Sequence, residues 1–377
     1  RKFIMNAQIN LFNDLVRLTE TSEAFYKQEF KLDDKIYWIF NYRLASYSDF
    51  QLPSAKWARG TMFEVTSSGE FIRLASLPMP KFWNYLENPN TMNLDLNEID
   101  WIEVKSDGSL MSTYIHNGEL RLKSKGSLFS EQAIDAMEWL NRPENWKLLA
   151  RLENYTDKGH TINLEWVSCK NRIVLFYPEP NLIVLNSMSN SDIDWDSHNY
   201  TTTRFSEWMS PDIDVGELTK KKFIEQVPSM QDDIEGFVFV LRSGQRVKIK
   251  TDKYISLHHS RDNITNPRRL FECVLDEATD DLRSMFATDQ VALDLISDME
   301  NLVQKLYNHL VSTVENFYNA NKDLDRKSFA IKGQKELTHM EFGLAMNLYI
   351  GRKNDYKDFM KSKYKEFGIK DTVTNKE

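Results

Sequence analysis

Residues 101–109 are Trp-Ile-Glu-Val-Lys-Ser-Asp-Gly-Ser, and this stretch indicates both the fold and the chemistry. The first four residues are typical of a β-strand, and Gly108 predicts a turn directly after it. Lys105 lies where the strand ends, so its side chain can project into a cleft. Because the ordinary lysine pKa is near ~10.4, Lys105 needs desolvation or neighbouring cations before it can act as a nucleophile at neutral pH.

The region around this strand is predicted to be rich in β-structure. Asn117-Gly118 joins the alternating segments Met111–Ile115 and Glu119–Lys123, and it is a strong hairpin signal because both turn residues tolerate positive φ. The other predicted elements are the strands Ile162–Val167, Arg172–Tyr177 and Asn181–Asn186, a hairpin of Gly236–Leu241 and Arg246–Thr251 through Ser243-Gly244, and a helix capped by Ser130 that runs through Ala133, Met137 and Leu140.

A change to helical periodicity occurs near Asn266-Pro267, which combines an N-cap residue with proline at the first helical position. Apolar residues then recur at helical spacings, and we interpret them as a packing face. These residues are Leu295, Met299, Leu302, Leu306, Leu310 and Phe317. The sequence therefore predicts an α+β protein in which residues 1–262 form antiparallel sheets flanked by helices and residues 263–377 form an all-helical domain.

The composition is that of a globular protein large enough for two domains. The chain has 377 residues, of which 41% are hydrophobic and 28% are charged. The two cysteines, Cys169 and Cys273, are far apart, which argues against disulfides and a cysteine-type zinc site. No segment reaches the ~20 apolar residues of a membrane span, so no membrane association is expected. The net charge of −8 argues mildly against nucleic acid, although it does not exclude a local basic groove.

Further candidate residues are two lysine pairs and two glutamates. Lys248 and Lys250 share one face of a predicted strand, and Lys123 and Lys125 have the same spacing. Converging ammonium groups would bind a polyanion, whereas the alternative is a solvated edge strand. Glu165 lies within an apolar strand and Glu235 precedes another. A carboxylate at such a position needs a partner, and a structural salt bridge is the alternative to a functional role.

The order of these residues is more specific than any one of them. Lysine-x-Asp-Gly, a strand glutamate, Glu-Gly and Lys-x-Lys occur in the order found in covalent nucleotidyltransferases, which include ligases and mRNA-capping enzymes. The chain resembles the RNA ligase 1 family of T-even phages along nearly its whole length, more strongly before about residue 285. The matching stretches are Tyr47-Ser-Asp, Arg59-Gly60, Pro78-Met-Pro-Lys-Phe82, Glu87-Asn-Pro, Lys105-Ser-Asp-Gly-Ser, Lys123-Ser-Lys-Gly-Ser, Asn171-Arg-Ile-Val-Leu, Glu235-Gly, Lys248-Ile-Lys and Tyr254-Ile-Ser-Leu-His.

The resemblance implies a role for each matching residue. Lys105 corresponds to the nucleophile that receives AMP. The positions that correspond to ATP-binding residues are Tyr42, Arg59, Lys81, Glu165, Lys248 and Lys250. The positions that correspond to residues required for activity include Lys125, Glu235 and Tyr254, in addition to Glu165. Asp280 corresponds to a position implicated in divalent-metal binding, although an ordinary acid on a helix surface is equally compatible with it. Ser106 replaces an acid found in the compared family.

The resemblance also implies the reaction and its setting. An ATP-dependent RNA ligase would transfer AMP from ATP to Lys105 and then to an RNA 5′-phosphate, and would finally join that end to a 3′-hydroxyl. Mg²⁺ or Mn²⁺ would neutralise the phosphates. The expected partner is RNA, in particular a cleaved tRNA anticodon loop repaired during bacteriophage infection. The expected location is the cytoplasm of the infected bacterial host, and the expected state is a monomer.

Two other classes of function remain open at this stage. One is a different covalent nucleotidyltransferase, either a DNA ligase or a capping guanylyltransferase. Capping enzymes and most DNA ligases have an OB-fold after the Lys-x-Lys strand, whereas helices are predicted here. The other class is a non-catalytic RNA-binding module, which would not form a covalent adduct on Lys105.

Overall fold

The computed structural model describes residues 2–171, 173–175, 177–193, 200–203, 212–258, 264 and 266–369. The chain divides into two units, Arg1–Ser260 and Arg261–Glu377. Within the described residues, all strands belong to the first unit, and the second unit is helical. The predicted α+β class is therefore confirmed.

Thirteen strands are found in the described part of the first unit, and they form three sheets. The strands are β1 (Phe25–Leu32), β2 (Lys35–Tyr42), β3 (Thr61–Val65), β4 (Phe71–Ser76), β5 (Trp83–Asn84), β6 (Ile99–Lys105), β7 (Ser109–His116), β8 (Glu119–Ser124), β9 (His160–Val167), β10 (Asn181–Ile193), β11 (Tyr200–Thr203), β12 (Gly236–Leu241) and β13 (Arg246–Lys250). The strand orders are β1-β2-β3-β4, β11-β10-β9-β7-β8 and β5-β13-β12-β6. The pairing is antiparallel throughout, except that the short β5 pairs in parallel with β13.

The helices of the first unit connect or cover these sheets. They are α1 (Lys2–Thr21), α2 (Pro89–Met92), α3 (Glu131–Leu140), α4 (Trp146–Asp157), α5 (Lys220–Gln226) and α6 (Asp252–His258). The helices of the second unit are α7 (Pro267–Leu275), α8 (Thr279–Met285), α9 (Gln290–Asn321), α10 (Arg326–Glu336), α11 (His339–Tyr349) and α12 (Tyr356–Ser362).

Several elements that were predicted from local sequence signals are present in the structure. Asn117 and Gly118 have φ angles of 50° and 81°, which closes the β7–β8 hairpin as expected. The β12–β13 hairpin also forms. Ser130 caps α3 by accepting a hydrogen bond from the backbone of Ala133, and Asn266 caps α7 through Arg269.

The strand predicted at Arg172–Tyr177 was wrong where the structure describes it. Ile173, Val174 and Leu175 form bends rather than a strand. The N–H groups of Val174 and Leu175 donate to Oδ2 of Asp107 at 2.8 and 2.7 Å, so this carboxylate takes the place of a neighbouring strand. Arg172 and Phe176 lie outside the described residues.

The five-stranded sheet β11-β10-β9-β7-β8, called the middle sheet, has one face covered by helices. Its other face is turned toward the first sheet, β1-β2-β3-β4. Leu122, Leu164 and Trp166 pack with residues of α3 and α4 in one apolar cluster. Tyr114, on the opposite face, packs with Tyr37 of the first sheet. Because side chains alternate along a strand, polar residues next to these leucines lie between the two sheets.

The helical unit is built around the long α9. Its buried positions differ in part from the predicted stripe, because Leu302 is exposed. Leu310 and Phe317 are buried as predicted, and the other buried apolar positions on α9 are Ala292, Ile296, Val303, Tyr307, Val311 and Val314. Because an α-helix has about 3.6 residues per turn, positions spaced by seven residues gradually rotate away from one face. The buried positions on part of α9 are therefore shifted by one residue from the predicted ones. Among the described residues, no helix combines the length and apolarity that a membrane span requires.

Candidate active site

Lys105, Glu235 and Lys250 meet where β12 lies between β6 and β13. Gly236 on β12 is in register with both Lys105 and Lys250, so the preceding Glu235 lies between the two lysines. Lys105 Nζ is 2.8 Å from Glu235 Oε2, and Lys250 Nζ is 3.1 Å from Oε1. A Cβ on Gly236 would lie 2.0 Å from the carbonyl oxygen of Ile249, so the Glu-Gly pair permits this close approach.

The shared carboxylate is ionised. Burial alone would raise the pKa of Glu235, but Lys105 and Lys250 outweigh that effect and hold the pKa below its ordinary value. One carboxylate therefore neutralises one of the two ammonium charges. The Lys105 side chain is 23% exposed, whereas that of Glu235 is only 4% exposed, so the lysine can reach a ligand while the acid stays fixed.

Glu165 on β9 lies close to the same cluster. Its Oε1 accepts a hydrogen bond of 3.1 Å from the backbone N–H of Gly108. Burial raises the pKa of Glu165 to about 7, although the positive charge of Lys105 partly opposes the shift. A Cβ on Gly108 would lie 2.3 Å from the carbonyl oxygen of Trp166, which explains why glycine follows Asp107 in the motif.

Asp107 anchors the loop that follows the candidate nucleophile. Tyr254 Oη donates to Asp107 Oδ1 at 2.8 Å, while Oδ2 accepts from the backbone of Val174 and Leu175. The Asp107 N–H donates to Tyr177 Oη at 3.0 Å. Lys250 Nζ lies 5.3 Å from the centre of the Tyr254 ring. Tyr254, which was predicted to be required for activity, thus connects the Lys105 loop to the Lys-x-Lys strand.

A second group of cations surrounds Tyr42. Lys125 Nζ lies 4.7 Å from the centre of the Tyr42 ring, and Lys81 Nζ lies 5.6 Å from it. Arg59 donates from Nη1 to the carbonyl oxygen of Met79 at 3.3 Å. The positive charge of Arg59 also partly opposes the rise in the pKa of Glu165. The cations around Tyr42 are therefore close enough to influence the Glu165 carboxylate electrostatically. Such a set of amines, a guanidinium and an aromatic ring fits a nucleotide with its phosphates.

Lys248 lies on β13, between β12 and the short β5 of the third sheet. Its backbone oxygen accepts from Tyr85 N–H at 2.8 Å, and its position is in register with Asn84 on β5. The neighbouring Val247 and Ile249 are buried in the apolar cluster, so the predicted division of the strand into a lysine face and an apolar face is confirmed.

Asp280 lies on α8 in the helical unit, half-buried at the start of that helix. Its Oδ1 accepts a hydrogen bond from Asp281 N–H. Within the described residues, no group of three or more histidine, cysteine, aspartate or glutamate side chains could hold a metal ion. Metal binding by Asp280 stays a prediction.

Two features of the site were missed at the level of sequence. Asp107 was part of a quoted motif but had no assigned role. Its place two residues after Lys105 and directly before Gly108 was the available sequence signal, and the structure buries it. Lys123 and Lys125 were predicted as one of two lysine pairs that converge on a polyanion, with a solvated edge strand as the alternative, but Lys123 is fully buried. The strand also ends at Ser124, so the two lysines do not form a continuous strand pair.

Comparison with known proteins identifies relatives of both units. Residues 261–371 match the family described as T4 RNA ligase 1, C-terminal domain. A putative bifunctional polynucleotide kinase/RNA ligase of Autographa californica nuclear polyhedrosis virus is 26% identical over 241 residues, which cover 56% of this chain and 33% of the viral protein. The chain therefore spans about a third of the length of that curated relative. The family match confirms the resemblance to T4 RNA ligase 1 for the helical unit.

Solved structures with partial similarity are also ligases by description. A putative ATP-dependent DNA ligase from Aquifex aeolicus is 13% identical, with a TM-score of 0.45 and coverage of 91% of this chain and 100% of that one. An archaeal ATP-dependent RNA ligase is 12% identical, with a TM-score of 0.44 and coverage of 94% and 95%. These TM-scores are too low to establish a shared fold.

Proposed function

We propose that this chain is an ATP-dependent RNA ligase that joins RNA 5′-phosphate and 3′-hydroxyl ends through AMP held covalently on Lys105. The main support is the pair of lysines, Lys105 and Lys250, that share the buried Glu235 carboxylate at the ends of paired strands. The match of residues 261–371 to the T4 RNA ligase 1 C-terminal domain favours RNA ligation within this class.

The proposed reaction has three steps. Lys105 Nζ forms a bond with the α-phosphorus of ATP while the bond to the bridging oxygen breaks and pyrophosphate leaves. An oxygen of the RNA 5′-phosphate then attacks the same phosphorus and releases Lys105, which produces a 5′-5′ anhydride. Finally, the RNA 3′-hydroxyl attacks the 5′-phosphate and AMP leaves. The covalent relay gives the phosphate a good leaving group.

The side chains of the first unit divide this work. Lys105 must lose a proton before it attacks. The Glu235 carboxylate, 2.8 Å away, orients the amine but favours its charged form, whereas the positive charges of Lys250 and of a bound divalent cation would favour the neutral amine. Arg59, Lys81, Lys248 and Lys250 would stabilise charge on the transferring phosphates. Glu165, when ionised, would accept a hydrogen bond from a ribose hydroxyl. Tyr42 and Lys125 would line one side of the nucleotide-binding site.

A divalent cation, Mg²⁺ or Mn²⁺, is proposed as the cofactor. Bound Mg²⁺ usually has few protein carboxylate ligands and keeps contacts with substrate phosphates, which is compatible with a chain whose described residues provide no dedicated metal cluster. When bound, the cation would neutralise phosphate charge. Asp280 is the candidate ligand in the helical unit.

The proposed substrate is a cleaved tRNA anticodon loop that is repaired during bacteriophage infection, in the cytoplasm of the infected bacterium, by a monomeric enzyme. The measurement that tests the RNA substrate is the ratio of ligation rates on a nicked tRNA anticodon stem-loop and on an unstructured strand. A ratio well above one supports a structured substrate. Equal rates would contradict it.

Two alternatives lead to different chemistry. A capping guanylyltransferase would form the adduct from GTP, and a DNA ligase would prefer nicked DNA. After β13 the described chain continues into helices α6 and α7 instead of the strands of an OB-fold. This order of elements argues against both the capping enzyme and the DNA ligase. A non-catalytic RNA-binding module would form no adduct at all.

The experiment that separates these functions is covalent labelling. The protein is incubated with α-³²P-labelled ATP or GTP and a divalent cation, and is then separated on a denaturing gel. We expect a labelled band with ATP and a much weaker one with GTP, followed by loss of the label when RNA with a 5′-phosphate is added. A protein that stays unlabelled with both nucleotides would refute the proposal.

A further inference from the structure

Lys123 is a fully buried lysine with an unusual environment. Its Nζ donates to the backbone oxygen of Ser124 at 3.1 Å, and no acidic side chain within the described residues forms an ion pair with it. Burial, with a further contribution from the charge of Arg59, lowers the pKa of Lys123 to about 7. Burying a cation without a counter-charge is costly, so a lysine is expected here only if its amine has a use.

The strand register places Lys123 on the nucleotide side of the middle sheet. Lys123 pairs with Ser112, and Ser112 pairs with Asn163. Asn163 lies two residues before Glu165 on β9, so these side chains share one face. The opposite face, which includes the neighbouring Leu122, packs against α3 and α4.

The amine of Lys123 lies at a corner that joins two candidate ATP-binding segments. A Cβ on Gly60 would lie 3.3 Å from Lys123 Nζ and 2.7 Å from the carbonyl oxygen of Lys125. Gly60 has a φ angle of +93°, and its N–H donates to Phe40 at 2.8 Å. Asn41 also donates to the Lys125 carbonyl oxygen, at 3.0 Å. Arg59–Gly60 and Ser124–Lys125 therefore approach each other around the Lys123 amine.

We infer that Lys123 is a positioning residue whose buried ammonium holds the Arg59–Gly60 corner against Lys125, and that nucleotide phosphates bound by Arg59 and Lys125 supply its missing counter-charge. The inference rests on the proposed function, because it names a residue of the same site. Lys123 itself is fully buried, so it acts through its neighbours and does not need to touch the nucleotide. A solely structural lysine would gain nothing from those phosphates.

Lys123→Met tests this role because methionine is close to the lysine stem in length but has no charge. The matched control is Lys147→Met on α4, where the lysine is exposed and lies on the helix that covers the other face of the sheet. Each protein is assayed for thermal unfolding and for AMP-adduct formation over a range of ATP concentrations. Lys105→Ala serves as the background without adduct.

We expect Lys123→Met to unfold at a temperature no lower than wild type, because it removes a buried charge. Its apparent KM for ATP should rise on the order of tenfold, by analogy with the lower end of the effects seen when a group that orients a metal ligand is removed. The rate at saturating ATP should fall less, and Lys147→Met should match wild type. An unchanged KM in Lys123→Met would overturn the inference.

Two further outcomes are informative. If Lys123→Met loses activity together with a clear fall in unfolding temperature, Lys123 is structural and the inference is wrong. If wild type itself forms no adduct with ATP, the proposed function fails first. The second outcome is distinguishable from the first because it does not depend on any variant.

Discussion

The two units of this chain use charged residues in opposite ways. In the first unit, Lys105, Lys250 and Glu235 are drawn into a poorly solvated cluster, and Lys123 is buried completely. In the described part of the helical unit, several ion pairs join side chains that solvent can reach. They include Arg268–Glu272, Arg283–Glu300, Lys357–Glu277, Lys361–Asp276 and Lys363–Glu366.

The difference shows where charge is used for stability and where it is not. Exposed ion pairs are screened and contribute little to the free energy of unfolding. Buried charges cost free energy to desolvate, and several positive ones close together cost more. A fold that keeps such a cluster is therefore expected to use it on an anion. Lys357, for example, is paired with Glu277 within the helical unit.

The largest effect is expected for the nucleophile. Lys105→Ala should abolish the AMP adduct and all ligation from ATP, because the resemblance assigns the attacking amine to Lys105 and a phosphate-binding role to the neighbouring Lys250. It should retain some sealing of RNA that already has AMP at its 5′ end. Lys250→Ala should lose much of that sealing as well, because Lys250 would stabilise phosphate charge in more than one step. Ligation of both RNAs is measured by gel electrophoresis.

The control for this prediction is Lys357→Ala in the helical unit, which removes a surface ion pair and should leave adduct formation unchanged. A Lys105→Ala protein with a wild-type level of adduct would show that the nucleophile is elsewhere. Normal sealing of pre-adenylated RNA by Lys250→Ala would restrict Lys250 to the first step.

The next largest effect is expected for the shared carboxylate. Glu235→Gln removes the negative charge between two ammonium groups, so Lys105 and Lys250 would repel each other without compensation. We expect adduct formation to slow by about 10²-fold, similar to the loss of one preorganised electrostatic group. The free energy of unfolding should fall by about 3 kcal/mol, as for other disrupted buried pairs. The rate of adduct formation is measured by labelling reactions that are quenched at successive times. The free energy of unfolding is measured by urea unfolding.

The matched control is Glu272→Gln, which removes the partner of Arg268 on an exposed helix face. It should cost no more than ~0.5 kcal/mol. If both glutamine variants have the same stability, the contrast between the two units does not hold.

A pH-dependent effect is expected for Glu165. Burial raises its pKa to about 7, so its stabilising contribution is fully present below the ordinary value of 4.5 and is lost as the pH rises to about 7. Glu165→Gln does not titrate. The variant should therefore become more stable relative to wild type across this interval, by at most ~3 kcal/mol because the side chain is partly exposed, and the difference should stay constant above it.

Urea unfolding at several pH values between those limits measures this difference. A constant difference between wild type and Glu165→Gln over the whole interval would mean that Glu165 has an ordinary pKa in the folded protein.

The smallest effect is expected on the surface of the helical unit. Arg268→Ala breaks an i,i+4 ion pair in which the arginine side chain is 55% exposed. The free energy of unfolding should fall by only about 0.3–0.5 kcal/mol, and the adduct rate should not change. A loss of ligation without a loss of adduct would instead indicate that Arg268 contacts RNA.

Local sequence signals were sufficient for much of the fold. Asn117-Gly118 defined a hairpin, and Asn266-Pro267 defined the start of α7, because turns and caps depend on a few neighbouring residues. The strand expected at 172–177 failed because its backbone donors bind a carboxylate from a distant part of the chain. The drift of the α9 stripe depends on which neighbouring helices pack against it.

The site was predictable as a set of residue types but not as an arrangement. The order of the Lys105, Glu235 and Lys250 motifs indicated a shared chemistry, but only strand pairing shows that one carboxylate serves both lysines. The burial of Lys123 could not be predicted, because an alternating strand with lysine is equally typical of a solvated edge. The bond between Tyr254 and Asp107 joins positions far apart in sequence.

The most direct test of the central claim is mass spectrometry of the protein after incubation with ATP and a divalent cation. Intact mass should increase by one AMP, and peptide mapping should place that AMP on Lys105. The increase should disappear when RNA with a 5′-phosphate is added. An AMP found on another lysine, or no mass increase in a folded protein, would contradict the account.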